Sequence, residues 1–65
     1  MENHIKEIRK QMGLNQEEIG KKCHVSRQTI NAIENNKYDP SLELAFKLAS
    51  VLNVRVDELF HYNYV

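Results

Sequence analysis

The 65-residue chain has little with which to staple or interrupt itself: one cysteine, one proline, two glycines and no tryptophan. A lone Cys23 forms no intramolecular disulfide, which excludes a disulfide scaffold and suits a reducing compartment. One proline leaves most of the chain open to helix. No apolar run nears the roughly 20 residues that a membrane-spanning helix needs. Met1-Glu2-Asn3-His4 leads straight into charged residues, so no secretory signal is expected, and the expected location is the cytoplasm. Excess charge of either sign is also missing, with nine basic and nine acidic residues. That counts mildly against a nucleic-acid partner, because phosphate contacts dominate such affinities. Where the charges sit matters more than their sum.

What is present is helical periodicity in five short segments, making one domain over residues 1–65. A domain this short buries only about 60% of its unfolded surface, so it needs good helix packing or a second subunit. The first segment runs from about Asn3, a candidate cap, to Met12, with Ile5, Ile8 and Met12 as its apolar stripe and Gly13 beyond its end. The second opens with Asn15-Gln16-Glu17-Glu18, a capping box, and carries Ile19 and Cys23 inward. The third is capped by Ser26 and buries only Ile30 and Ile33, leaving Arg27, Gln28, Asn31 and Asn35 on a broad polar face. The fourth, after the Asp39-Pro40 turn and a Ser41 cap, is apolar nearly all round from Leu42 to Leu52, as a central core helix should be. The fifth is short, about Val56 to Phe60. The tail from His61 to Val65 alternates polar with apolar residues, which favours a short strand.

The second and third segments carry the functional signal. Only a few residues separate them, so the two helices must cross steeply, as in a helix-turn-helix unit over about residues 15–34. Such a crossing needs a small residue, supplied by Gly20, and a turn residue able to adopt positive φ, a place His24 occupies. It also needs an apolar plug, Val25. Ile19, Val25, Ile30 and Ile33 then share a small core.

The run Leu14-Asn15-Gln16-Glu17-Glu18-Ile19-Gly20, then Val25-Ser26-Arg27-Gln28-Thr29-Ile30, Ile33-Glu34-Asn35, Lys37-Tyr38, Pro40-Ser41-Leu42 and Leu44-Ala45, resembles the Xre-type family. That family includes the lambdoid-phage repressors and Cro proteins. The resemblance spans about Ile5 to Phe60 and is strongest to short stand-alone regulators. It implies a compact all-α, five-helix, lambda-repressor-like fold, with a short C-terminal strand as an addition. It implies a sequence-specific regulator of transcription, a repressor binding a palindromic double-stranded DNA operator as a homodimer. The third segment would lie in the major groove, with Gln28 reading adenine, Arg27 reading guanine or holding a phosphate, and Thr29 and Ala32 offering methyl groups to thymine. Gln16 would anchor the backbone and brace Gln28, while Ser26, Asn31, Asn35, Lys37 and Tyr38 would flank the groove on phosphates. Arg9 and Glu34 match a family pair that bridges the first and third helices. His24 and Asn36 stand where the family has glycine, and Arg55 stands where it has a capping residue.

Other readings stay beside this one. Tyr62 and Tyr64 are either a frayed tail or, with Leu59, Phe60 and Val65, the seam of a two-fold dimer; the alternation and the small core favour the seam. Cys23-His24, with His4 and His61, lack the paired spacing of a metal site, and Cys23 reads as core. No metal, cofactor or small-molecule effector is expected, and no nucleophile–base pair or carboxylate dyad suggests an enzyme. The same fold could instead serve as a protein-binding module such as an antitoxin or adaptor. The polar tips of Gln16, Arg27 and Gln28 favour DNA.

Overall fold

A computed structural model describes residues 1–63. The elements, in chain order, are β1 (Glu2–Asn3), α1 (Ile5–Gln11), α2 (Gln16–Cys23), α3 (Arg27–Glu34), α4 (Leu42–Val51), α5 (Val56–Leu59) and β2 (Phe60–His61). The two strands pair antiparallel, Glu2 opposite His61 and Asn3 opposite Phe60, so the ends of the described chain close on each other.

Local chemistry sets the helix starts. The Asn15 side chain accepts from Glu18 N–H at 2.8 Å, and the Glu18 carboxylate accepts from Asn15 N–H at 2.9 Å. Ser26 and Ser41 cap α3 and α4 through the N–H groups of Thr29 and Leu44. At α5 the Glu58 carboxylate accepts from Arg55 N–H at 2.8 Å, so the start does not need a polar cap at Arg55. Four helices share one ending. Gly13, His24, Asn36 and Asn53 all lie at φ near +60° to +72°. In each case the N–H of that residue and of the next return to carbonyls of the last turn, as His24 to Lys21 and Val25 to Gly20. This double return satisfies carbonyls that a helix end otherwise leaves open.

Ile5, Ile19, Cys23, Ile30, Ile33, Leu48, Leu52 and Leu59 form the fully buried centre. Burial pushes the Cys23 thiol above its usual range, and the nearby Lys47 ammonium pulls it partly back. No helix among the described residues is long and apolar enough to cross a membrane.

The structure departs from the sequence reading in four places. Asn3 is a strand residue one place before the cap position, which His4 holds without a side-chain bond; the Asn3 side chain still accepts from Ile5 N–H, the first of α1, at 3.2 Å. Met12 is exposed. The fourth helix buries Leu44, Ala45, Leu48 and Ala49 but leaves Leu42 71% and Phe46 58% exposed, so it is two-faced. The C-terminal strand begins one residue earlier than the tail, at Phe60, and its partner is the N-terminal segment.

Candidate nucleic-acid interface

The geometry of the turn between α2 and α3 rests on Gly20. A Cβ built there would lie 2.7 Å from the Val25 carbonyl oxygen and 3.3 Å from the Ser26 carbonyl carbon. Both are backbone atoms and neither can swing aside. The close approach is therefore between α2 and the turn itself. His24 follows at φ 61°, and Val25 packs half-buried against the core.

This turn places α3 on the surface with Ile30 and Ile33 buried beneath it. Arg27 and Gln28, in its first turn, are exposed, and their side chains make no hydrogen bond to any described residue. Nothing among the described residues competes for their side-chain donors and acceptors. Thr29 is half-buried, and its hydroxyl lies 3.1 Å from that of Ser26. Ala32 is half-buried, and Lys37 and Tyr38 are exposed.

A polar lattice holds α3 from behind. Arg9 donates from Nε to Glu34 Oε2 at 2.8 Å and from Nη2 to Glu34 Oε1 at 3.1 Å. Its remaining nitrogen donates to the Leu14 carbonyl at 3.1 Å. The two side chains are only 10% and 3% exposed. Gln16 donates to Glu34 Oε1 at 3.1 Å, and Asn31 donates to Gln16 Oε1 at 3.4 Å. Asn35 in turn donates to the Asn31 carbonyl and side chain. A bidentate pair with its other donors satisfied is the form of buried ion pair that holds its geometry. Gln16 thus bonds Glu34 and Asn31, and no hydrogen bond joins it to Gln28 among the described residues.

Two residues of the surroundings escaped the sequence reading. Glu17 lines the shallow depressions beside Gln16, Arg27 and Gln28, and faces Lys21 at 3.8 Å. Its place in the second position of α2 signals only a favourable helix start, which hides its proximity to α3. Asn3 reaches the far end of α3, its Nδ2 donating to the Ile33 carbonyl at 2.8 Å across a sequence separation of 30 residues.

Charge is distributed unequally in availability. Lys6, Lys10, Lys22, Arg27, Lys37 and Lys47 form no ion pair among the described residues. Nearly every carboxylate is engaged: Glu7 by His4, Glu17 by Lys21, Glu34 by Arg9, Asp57 by Arg55, and Asp39 by the Met1 nitrogen. Glu18 and Glu58 are spent on helix caps, and Glu2 receives the Asn63 amide at 3.5 Å. A chain of zero net charge can still offer free cations beside α3.

On another face, Phe46, Val54, Val56, Phe60 and Tyr62 line an open apolar groove between α4, α5 and β2. Leu59, assigned from sequence to a dimer seam, is fully buried in the protomer's own core and offers no surface to a partner. Tyr64 and Val65, assigned to the same seam, lie outside the described residues. Among the described residues no cluster of His, Cys, Asp and Glu could hold a metal ion.

A helix-turn-helix family model matches residues 5–59. An uncharacterized HTH-type transcriptional regulator of Methanocaldococcus jannaschii is 52% identical over 62 residues, covering 95% of this chain and 94% of the relative. One of Archaeoglobus fulgidus is 48% identical over 60 residues, covering 92% and 86%. Another, YgzD of Bacillus subtilis, is 40% identical over 60 residues, covering 92% and 91%.

Proposed function

Because the chain belongs to the Xre-like helix-turn-helix family, we propose that it is a DNA-binding transcriptional regulator, a repressor that grips a palindromic operator as a homodimer in the cytoplasm. The observation that carries this reading is the pair Arg27 and Gln28, exposed and uncommitted at the leading end of a helix that is locked from behind. A guanidinium and a carboxamide are the groups that bond bidentately to guanine and adenine edges in the major groove. Thr29 and Ala32 follow along the same helix as contacts to thymine methyl groups. Gln16, Ser26, Asn31, Asn35, Lys37 and Tyr38 surround them as backbone contacts that set register. No step of this function calls for catalysis or a cofactor.

Two copies are needed because one eight-residue helix reads only a few base pairs. The apolar groove beside Phe60 and Tyr62, with the exposed Phe46 at its edge, supports a two-fold seam on that side. A two-fold pair would set its reading helices about 34 Å apart, one turn of duplex.

Selection of bound fragments from a pool of random duplexes tests this reading. The expected product is an inverted repeat whose half-site centres lie about 10 base pairs apart. Recovery of no common motif, while the protein instead co-purifies with a single protein partner, would favour the protein-binding module.

A further inference from the structure

Two side chains from outside the helix-turn-helix unit reach the C-terminal half of α3. Arg9, on Glu34, is one. Asn3 is the other. Its Nδ2 donates to the Ile33 carbonyl at 2.8 Å, with the Asn36 Oδ1 at 3.3 Å and the Met1 carbonyl at 3.4 Å also in reach. Its Oδ1 accepts from Ile5 N–H at 3.2 Å. The Ile33 carbonyl is also the one that receives Asn36 N–H at 3.1 Å. Asn3 therefore binds where α3 unwinds through the left-handed Asn36. Its own backbone is paired with Phe60 in the small sheet. Among the described residues this is the only hydrogen bond that runs from the sheet to α3.

We propose that Asn3 is a positioning residue for operator reading: it fixes the angle of α3 against the β1–β2 sheet and so the spacing of the two reading helices. The inference rests on the reading of α3 as the recognition helix and of the β2 side as the seam between copies. An eight-residue helix is about 12 Å long. A tilt of roughly 5° at its far end moves the tips near Gln28 by about 1 Å relative to the sheet; a lone protomer absorbs this by turning as a whole on its half-site, but two joined protomers cannot, since a hydrogen bond tolerates only a few tenths of an ångström. In a dimer anchored through the sheet, the error enters twice. Arg9 cannot replace this link, because it ties α3 to α1 and not to β1 or β2.

The test compares the wild type with Asn3→Ala and Asn3→Asp. The aspartate keeps the acceptor for Ile5 N–H and loses the donor to Ile33, so it serves if the alanine variant does not fold. The duplexes carry the selected operator, the same operator with one base pair added or removed between half-sites, and a single half-site. Binding is measured at a temperature where circular dichroism shows each protein folded. The wild type should prefer the native spacing by about tenfold or more, in line with the penalty for a misplaced base contact. The variants should bind the single half-site within about twofold of the wild type and lose most of the spacing preference. A loss of fold stability alone would not change that preference. Variants that keep the wild-type spacing preference would overturn the proposal and leave the operator reading standing. A wild type that shows no spacing preference would overturn the two-copy reading and this proposal with it.

Discussion

Gly20 is the residue whose size the turn tolerates least. A methyl group there meets the Val25 carbonyl oxygen at 2.7 Å, and relieving that clash means opening the turn that aims Arg27 and Gln28. Gly20→Ala should gain some helix propensity yet still destabilise by about 1–3 kcal/mol, the usual penalty for overpacking. Urea unfolding followed by circular dichroism measures it. Cys23 gives a second residue-level expectation. Its thiol is buried and pushed up by that burial, so little thiolate exists near neutral pH and labelling should proceed only through unfolding. A thiol reagent should react slowly in buffer and quickly in denaturant; fast reaction in buffer would contradict the packed position. Sequence alone located both residues, because a small residue at a tight crossing and a cysteine on an apolar face are local patterns. Asn3 was legible only in part: its bond to the first N–H of α1 is local, while its other partners Ile33, Asn36 and Phe60 lie far along the chain.

At the scale of elements, the starts of α2, α3 and α4 were legible because Asn15, Ser26 and Ser41 act within one turn of themselves. The two-faced character of α4 was not. Apolar composition says that a helix has something to bury, and only the packing of its neighbours says which side, leaving Leu42 and Phe46 outside. The ends of the helices carry a prediction. His24 is exposed, left-handed and not glycine, and an L-residue there is strained by about 1–2 kcal/mol. Glycine's greater freedom in the unfolded chain offsets part of that relief. His24→Gly should therefore raise stability by about 0.5–1 kcal/mol, seen as a higher melting temperature. The link between α1 and α3 behaves differently. Arg9→Ala would strand the Glu34 carboxylate, at 3% side-chain exposure, and should cost about 3–5 kcal/mol. Replacing both partners with apolar residues, Arg9→Met with Glu34→Leu, should cost much less than the sum of the single changes. A double-mutant cycle by urea unfolding checks this, and additive costs would contradict a coupled pair.

For the molecule as a whole, the zero net charge conceals which groups are available. All the acids but Glu43 are engaged by cations, caps or amides, while Arg27, Lys22 and Lys37 form no ion pair among the described residues. DNA affinity should therefore fall steeply with salt through counterion release, and Lys37→Ala should lower the slope of log affinity against log salt by about one. Composition could not show this, since it counts charges without their partners. Operator specificity would rest on the two uncommitted side-chain tips of α3. The direct measurement is fluorescence anisotropy with the selected operator and a scrambled duplex, at fixed salt, for the wild type and for Arg27→Ala with Gln28→Ala. The double variant should keep its melting temperature and lose only a few-fold on the scrambled duplex, through the one positive charge removed. It should lose about 100-fold or more on the operator, each bidentate contact being worth about 1–3 kcal/mol. A folded double variant that still prefers the operator as strongly as the wild type would contradict base reading by those tips.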